Sequence, residues 1–470
     1  MQKRTNDKNR KLYLQHQQLL RQKNKQAPPQ VISSYIRTIL LIAAAAFYVP
    51  KTLFHPDTDL YHFLFPHGMA QSNDDHVLEW ASIDHTNTLL QIENGKTKKI
   101  IERRSKSSSA DDEERDEDGI LKDTLIRGPE TVISGPKGEL FLMTDESKLL
   151  QMSDLEPHPT QDGVLTAKLT VVRESLGNGR PLGGRFASDG TLYIADAILG
   201  LTRIPKNVLD EKKHKLEIVT THAVDAEGGR HKMNFMDDVT IGPKSGKVYF
   251  TDASNVSPDY LLHKNYYDCW HAAKLDLLRG GSKGTGRLLE YDPTSDTTKI
   301  LADGLFFANG IAVDKEEQYL VFAESTGINI VKYHLQGPQA GTLEVIVPSS
   351  KLPFYLDGVD CSWKTGLCYA IGPSSVTAIH KFTAKLPDTI SMILRNFFMI
   401  LPRDWAPDAE PFASIVEFDP KQPKDDGTFE FRFIQDPTGK DLRMLTGVTE
   451  QDGKLYLGSL ANKYVGVYTL

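Results

Sequence analysis

A turn residue followed by a short apolar, often aromatic, strand recurs six times along this chain, and few folds accommodate that pattern. The copies are GELFLMTD at Gly138, GTLYIADA at Gly190, GKVYFTDA at Gly246, QYLVFAES at Gln318, GLCYAIGP at Gly366 and GKLYLGSL at Gly453. Each follows another short apolar strand (TVIS, GRFAS, DVTIG, GIAVD, GVDCS, GVTEQ), so each unit opens with a hairpin. Spacings of 52, 56, 72, 48 and 87 residues leave room for four antiparallel strands plus loop insertions. A sandwich would not repeat one hairpin six times, so the expected fold is all-β, a six-bladed β-propeller. Only KYVGVYTL follows the last copy, leaving the final blade one strand short. The donor is LLQIE at Leu89 or KKIIE at Lys98, and its insertion removes a free edge.

In a propeller the innermost strands start near a common axis, and the repeats can be aligned there as a column. Seven to nine residues before the anchors stand Glu130, then Pro181 or Leu182, then Asp237, Asn309, Asp357 and Thr446. Three of these are carboxylates. Converging on one channel they would repel unless a cation sat among them, and hard oxygen donors suit Ca²⁺. The candidate metal ligands are therefore Glu130, Asp237, Asn309 and Asp357. Strand alternation turns Asp238 away from them, to a supporting position or a turn cap.

The segments GRPLGGRFASDGTLYIADAILGL (179–201), DDVTIGPKSGKVYFTDAS (237–254) and FFANGIAVDKEEQYLVFAESTGINIVKYHLQGPQAGT (306–342) resemble the strictosidine synthase-like family, in particular the branch containing the adipocyte plasma-membrane-associated protein. The resemblance covers roughly residues 125 to 470. It implies a six-bladed propeller related to paraoxonase and other calcium-dependent lactonases and phosphotriesterases, with a Glu, Asn, Asn, Asp set around a central metal. Those positions match Glu130, Asp237, Asn309 and Asp357, with Asp237 departing from the usual asparagine. The resemblance also implies that the condensing enzymes of the family use a last-blade glutamate where this chain has Thr446, and a nearby histidine where it has Met444. A threonine hydroxyl cannot replace that acid/base group, so alkaloid condensation is not expected.

The N-terminal region differs in kind. Residues 1–30 hold eight Lys/Arg against one Asp, a +7 tail on a chain of net charge −7, so the remainder carries −14. An acidic body argues against a nucleic-acid partner. Residues 31–50, VISSYIRTILLIAAAAFYVP, include 11 uninterrupted apolar residues from Ile39 to Val49. They are expected to form a single-pass transmembrane signal anchor, with Arg37 snorkelling to one interface. A cleaved signal peptide is the rival, and a buried helix a third reading. The basic tail would be held in the cytosol and the body sent across, a type II arrangement in the endoplasmic reticulum or plasma membrane. The expected organisation is a cytosolic tail (1–30), anchor (31–50), stem (51–85) and propeller (86–470). The Ser-rich then acidic run 105–118 forms a solvated loop near the start of the propeller.

Other chemistry is sparse. No Gly-x-Ser-x-Gly elbow or phosphate-cradling loop is present, and the Gly-rich stretch at Arg279 leads into a strand. The segments 259–281 and 386–405 have apolar residues at helical spacing and interrupt blades three and five. Each is a helix packed on the rim, or an amphipathic element that lids the channel or touches the membrane. Asn255-Val-Ser is a candidate glycosylation site, followed by Pro258. Three cysteines exclude a disulfide scaffold. Cys361 and Cys368 flank a hairpin turn and an oxidising lumen would permit a bond, but with their register unfixed the expectation is two free thiols, with Cys269 unpaired either way. The leading functional expectation is a calcium-dependent hydrolase of esters or lactones acting on a small lipophilic substrate. The alternative is a membrane-tethered propeller without turnover, whose metal is structural and whose upper face binds a protein or small ligand. The catalytic base and the oligomeric state are not set by the sequence.

Overall fold

The computed structural model describes residues 68–71, 89–91, 96–103, 120, 124–206, 215–261, 266–383, 385–401, 412–423 and 429–470. The tail 1–30, the anchor 31–50, most of the stem and the acidic run 105–118 lie outside the described residues. Among the described residues no helix is long and apolar enough to cross a membrane.

All six hairpins form. The innermost strands are β1 (Val132–Ser134), β2 (Pro181–Phe186), β3 (Met236–Ile241), β4 (Ala308–Val313), β5 (Val359–Cys361) and β6 (Gly447–Gln451), each antiparallel to the strand that follows it. Glycine supplies the left-handed turn residue in five of them. In the fourth, Glu317 takes that conformation at φ 54°, and its carboxylate accepts from Lys244 and Ser245 N–H in the neighbouring turn. Each hairpin continues outward into a third and fourth strand, giving an all-β, propeller-like array of antiparallel sheets.

The innermost strands pack in the order β1, β2, β3, β4, β5, β6 and back to β1. A separate hydrophobic cluster fills each junction: Ile133, Phe141 and Ile194 between the first two sheets, for example, and Ile371, Ile415 and Leu457 between the last two. The returning junction, from Tyr456 and Val467 to Leu142 and Leu150, is filled in the same way. Close backbone approach requires small residues at the ring. A Cβ on Gly310 would lie 2.2 Å from Val359 N, and one on Gly447 2.0 Å from Glu130 O.

Of the two candidate closing strands, it is Thr97–Glu102 that pairs antiparallel with Val465–Thr469 and completes the last sheet, with Thr97 opposite Tyr468. Leu89–Gln91 instead runs parallel to Phe429–Asp436 at the edge of the fifth sheet.

The insertion 259–281 is helical only in its second half. Asp259–Leu261 and Tyr266–Asp268 form a small hairpin, and helix α1 runs from Cys269 to Arg279, capped by the Asp268 carboxylate accepting from His271 N–H. Aromatic residues at 260, 266 and 267 favour the paired strands over a longer helix. Helices α2 (Ala378–Thr383) and α3 (Asp388–Met399) form the second insertion, and α3 packs against α1. The helix ends at Met399, short of the expected Trp405: Ile400 is its C-cap, Leu401 is not helical, and residues 402–405 lie outside the described residues. Met69–Gln71, placed by sequence in the stem, joins this cap: Gln71 N–H donates to Arg279 O, and Ala70 N–H to the Asn396 side chain.

The expectation of two free thiols at 361 and 368 is overturned. Cys361 and Cys368 are directly opposite in the β5 hairpin, with Cα atoms 4.0 Å apart, and they form a disulfide. The register that the sequence left open places them as a cross-strand pair. Cys269 is free and buried.

Candidate metal centre

The column of aligned repeat positions converges where expected. Glu130, Asp237 and Asp357 are buried, and each offers a carboxylate oxygen within 4.8 Å of the others. Asn309 lines the same pocket, and its side chain favours the charged form of the Asp357 carboxyl. Leu182 occupies the second repeat's place, as an apolar wall. Thr446 is buried but does not line the pocket; its hydroxyl accepts from Leu460 N–H.

Local irregularity sets these side chains. β2, β3 and β4 each carry a register shift at the channel position, between Pro181 and Gly184, Met236 and Val239, and Ala308 and Ile311. A bulge there re-aims a side chain that regular pleating would fix. Asp238 is held as expected in a supporting role, its two oxygens accepting from Val239 and Ile311 N–H at 2.8 and 3.0 Å. Phe307, two residues before Asn309, is in the left-handed region at φ 57° and packs edge-on against Phe235, centroids 5.2 Å apart.

A signal the repeats carried but the column did not use is the acid ending the second strand in YIAD, YFTD and VFAE. Asp196 accepts from Arg180 N–H, Asp252 from Asn234 and Phe235 N–H, and Glu324 from Phe306 N–H. These acids do not line the pocket. Each clamps the backbone that leads into the channel position of its own repeat.

The three channel carboxyls are all raised well above the ordinary carboxylate range. Burial is the main cause for each, followed by mutual repulsion: Asp357 acts on Glu130, Glu130 on Asp237, and Asp237 on Asp357. Among the described residues, Oε2 of Glu130 and Oδ1 of Asp357 are buried with no hydrogen-bond partner. Buried polar atoms are rarely left so. Oxygens each about 2.3 to 2.6 Å from one calcium ion lie at most about 5 Å apart, so three carboxylates within 4.8 Å of one another, with an amide beside them, fit a hard divalent cation.

Above the carboxylates lies a pocket with about 770 Å³ of empty space, lined mainly by apolar side chains including Phe235, Trp270, Leu277, Phe307 and Leu460. α1 forms one wall, which the helical spacing of Trp270 and Leu277 foreshadowed. Tyr355 and Lys274 in the same lining carried no sequence signal. The Tyr355 hydroxyl is 2.9 Å from Nδ1 of buried His380, on α2.

Comparisons with known proteins give the chain its relatives. The strictosidine synthase family model matches residues 237–338, a stretch that spans Asp237 and Asn309. The chain is similar to the adipocyte plasma membrane-associated protein of Mus musculus, 29% identical over 359 residues, covering 73% of this chain and 76% of the relative. It is 30% identical over 371 residues to strictosidine synthase-like protein 10 of Arabidopsis thaliana, covering 75% of this chain and 87% of that protein. Among solved structures it is similar to a gluconolactonase from Xanthomonas campestris, at 13% identity and a TM-score of 0.44, over 73% of this chain and 87% of that one. That likeness is too distant to bear on activity. The two sequence relatives carry the assignment: the chain belongs to the strictosidine synthase-like family.

Proposed function

We propose that this chain is a calcium-dependent hydrolase of esters or lactones, arylesterase- or lactonase-like, built on a six-bladed β-propeller. The observation that carries the reading is the pair of unpartnered carboxylate oxygens, on Glu130 and Asp357, at the floor of a largely apolar pocket. Glu130, Asp237, Asp357 and Asn309 would hold the cation, which when bound supplies Lewis acidity toward a carbonyl or phosphoryl oxygen. Leu182, Phe235, Trp270 and Phe307 take the apolar body of a small lipophilic substrate and keep water away from the carboxylates. Thr446, with its hydroxyl engaged by the backbone, speaks against alkaloid condensation. The test is a screen of the purified body against aryl esters, lactones and phosphotriesters, with and without chelator. Turnover of one class that chelator abolishes supports the reading, and no calcium-dependent turnover in any class rejects it.

A second reading has its own support. Among the described residues no histidine lines the pocket, and apart from the three carboxylates its titratable residues there are Cys269, Lys274 and Tyr355. A propeller with a structural cation and a ligand-binding upper face would need no base. Chelator-sensitive folding without turnover is its signature.

The body is proposed to lie in the lumen of the secretory pathway or outside the cell, tethered by residues 31–50 in type II orientation, with Asn255 glycosylated. The eight basic residues before the segment and the Cys361–Cys368 disulfide support this placement. α3 supports a second membrane contact at 386–405: it turns Ser391 and Arg395 inward and leaves Ile390, and Ile400 at its C-cap, exposed. Protease treatment of sealed microsomes should spare the body and remove the first 30 residues. Digestion of the body with survival of the tail would reverse the orientation.

A further inference from the structure

Among the described residues that line the pocket above the carboxylates, one more side chain carries a buried polar atom with no hydrogen-bond partner, the hydroxyl of Ser325. The residue is only 8% exposed. Its place in the backbone recurs in the repeats. Ala197, Ala253 and Ser325 each follow the acid that ends the second strand, and each N–H donates back to the chain entering the innermost strand, to Arg180 O at 2.9 Å, Phe235 O at 2.7 Å and Phe307 O at 3.0 Å. Ala197 and Ala253 are buried in one apolar cluster with Leu182, Phe235 and Phe307. A methyl group is therefore enough to build this corner of the fold, and the fourth repeat has a hydroxyl there instead.

A buried hydroxyl without a partner destabilises a chain, since its hydration is lost and nothing replaces it. Neighbouring polar side chains of the pocket are already engaged. Thr326 donates to the Asp276 carboxylate at 3.4 Å, and the Tyr355 hydroxyl lies 2.9 Å from His380 Nδ1 and 3.3 Å from Thr377 Oγ1. The Ser325 backbone is fixed by its bond to Phe307, but serine has three staggered χ1 positions, so its hydroxyl can turn toward a molecule in the pocket.

We propose that Ser325 is a substrate-binding residue that selects esters or lactones carrying a hydroxyl group apart from the reacting carbonyl. The inference rests on the reading of this pocket as a hydrolase site, and it narrows the substrate class. A substrate hydroxyl can donate to a serine or accept from it, so the pair forms in either direction. A charged group is disfavoured, because one neutral hydroxyl in an apolar wall does not offset the desolvation of an ion. A substrate that lacks the hydroxyl leaves Ser325 unpaired, and a site with a buried polar group to satisfy discriminates against such an analogue.

The test is steady-state hydrolysis by the purified full chain, in calcium, of two matched sets: phenyl butyrate with its 2- and 3-hydroxy derivatives, and γ-butyrolactone with its 2- and 3-hydroxy derivatives. Thermal unfolding of the ligand-free protein accompanies it. Wild type should favour a hydroxylated member over its parent in kcat/KM by about tenfold or more beyond the difference in their uncatalysed rates. Ser325→Ala should remove that preference, and its melting temperature should equal or exceed that of wild type, because it installs the residue that the second and third repeats already use. A preference that survives in Ser325→Ala overturns the proposal, as does a wild type without one. A lowered melt, or failure of the variant to fold, also overturns it, since the hydroxyl then serves the fold. No turnover of any parent or derivative removes the hydrolase reading itself and the proposal with it, an outcome distinct from turnover without preference.

Discussion

The two ends of the innermost strands use the same residue types in opposite ways. At the entering ends, Glu130, Asp237 and Asp357 crowd together with two oxygens unpartnered under an apolar roof. At the hairpin-turn ends, Asp360 ion-pairs with Arg185 at 2.8 Å and accepts from Glu450 N–H at 2.9 Å. The cavity there is lined by hairpin turns with both polar and apolar side chains. Buried carboxylates that are fully engaged hold the ring together. Buried carboxylates left short of partners are where a ligand has somewhere to bind.

The largest test of this contrast is to remove one acid or amide at the open end. Asn309→Ala or Asp357→Ala should abolish cation binding by calorimetry and lower any ester or lactone turnover on the order of 10³-fold or more. Asp360→Asn at the paired end should leave turnover within a few-fold. Equal losses at both ends would erase the distinction.

The roof of the open end has a pH sensitivity of its own. Burial, with Arg395 nearby, pushes the His380 imidazole down to about 3 from an ordinary 6.5. The unfolded chain protonates this histidine as pH falls below about 6.5, and the folded chain does not until near 3. The unfolded state therefore binds more protons in that window. Stability should fall as pH falls, by up to about 1.4 kcal/mol per unit from this group. Urea denaturation between pH 6.5 and 4.5 should show a shallower slope for His380→Gln than for wild type, and identical slopes would contradict the assignment.

At the paired end the expected cost is in folding alone. Asp360→Ala strands Arg185, whose guanidinium is partly exposed, and frees Glu450 N–H, so a loss of about 1–3 kcal/mol is expected in the same denaturation experiment. The smallest effect belongs to Thr446→Ala, which removes one acceptor for Leu460 N–H. Turnover should stay within a few-fold, at a stability cost of about 1 kcal/mol. Loss of turnover there would move the chemistry away from the carboxylates.

The contrast was half legible in the sequence. Glu130, Asp237, Asn309 and Asp357 emerged because a repeat imposes register, and register turns spacing into convergence. The hairpins were legible for the same reason, since alternation and turn glycines are local. The disulfide was not, because the pairing of Cys361 with Cys368 depends on a cross-strand register that spacing alone leaves free. The helical reading of 259–268 failed where Tyr260 and Tyr267 pair across a hairpin instead, at 5.0 Å between ring centroids.

The central claim is that one divalent cation belongs among Glu130, Asp237 and Asp357, and the most direct measurement is thermal unfolding of the purified chain with excess calcium and with chelator, paired with elemental analysis. The account predicts one bound cation per chain and a melting temperature lowered by several degrees on chelation, since a ligand that binds only the native state stabilises it by mass action. An unchanged melt together with no metal in the purified protein would contradict it.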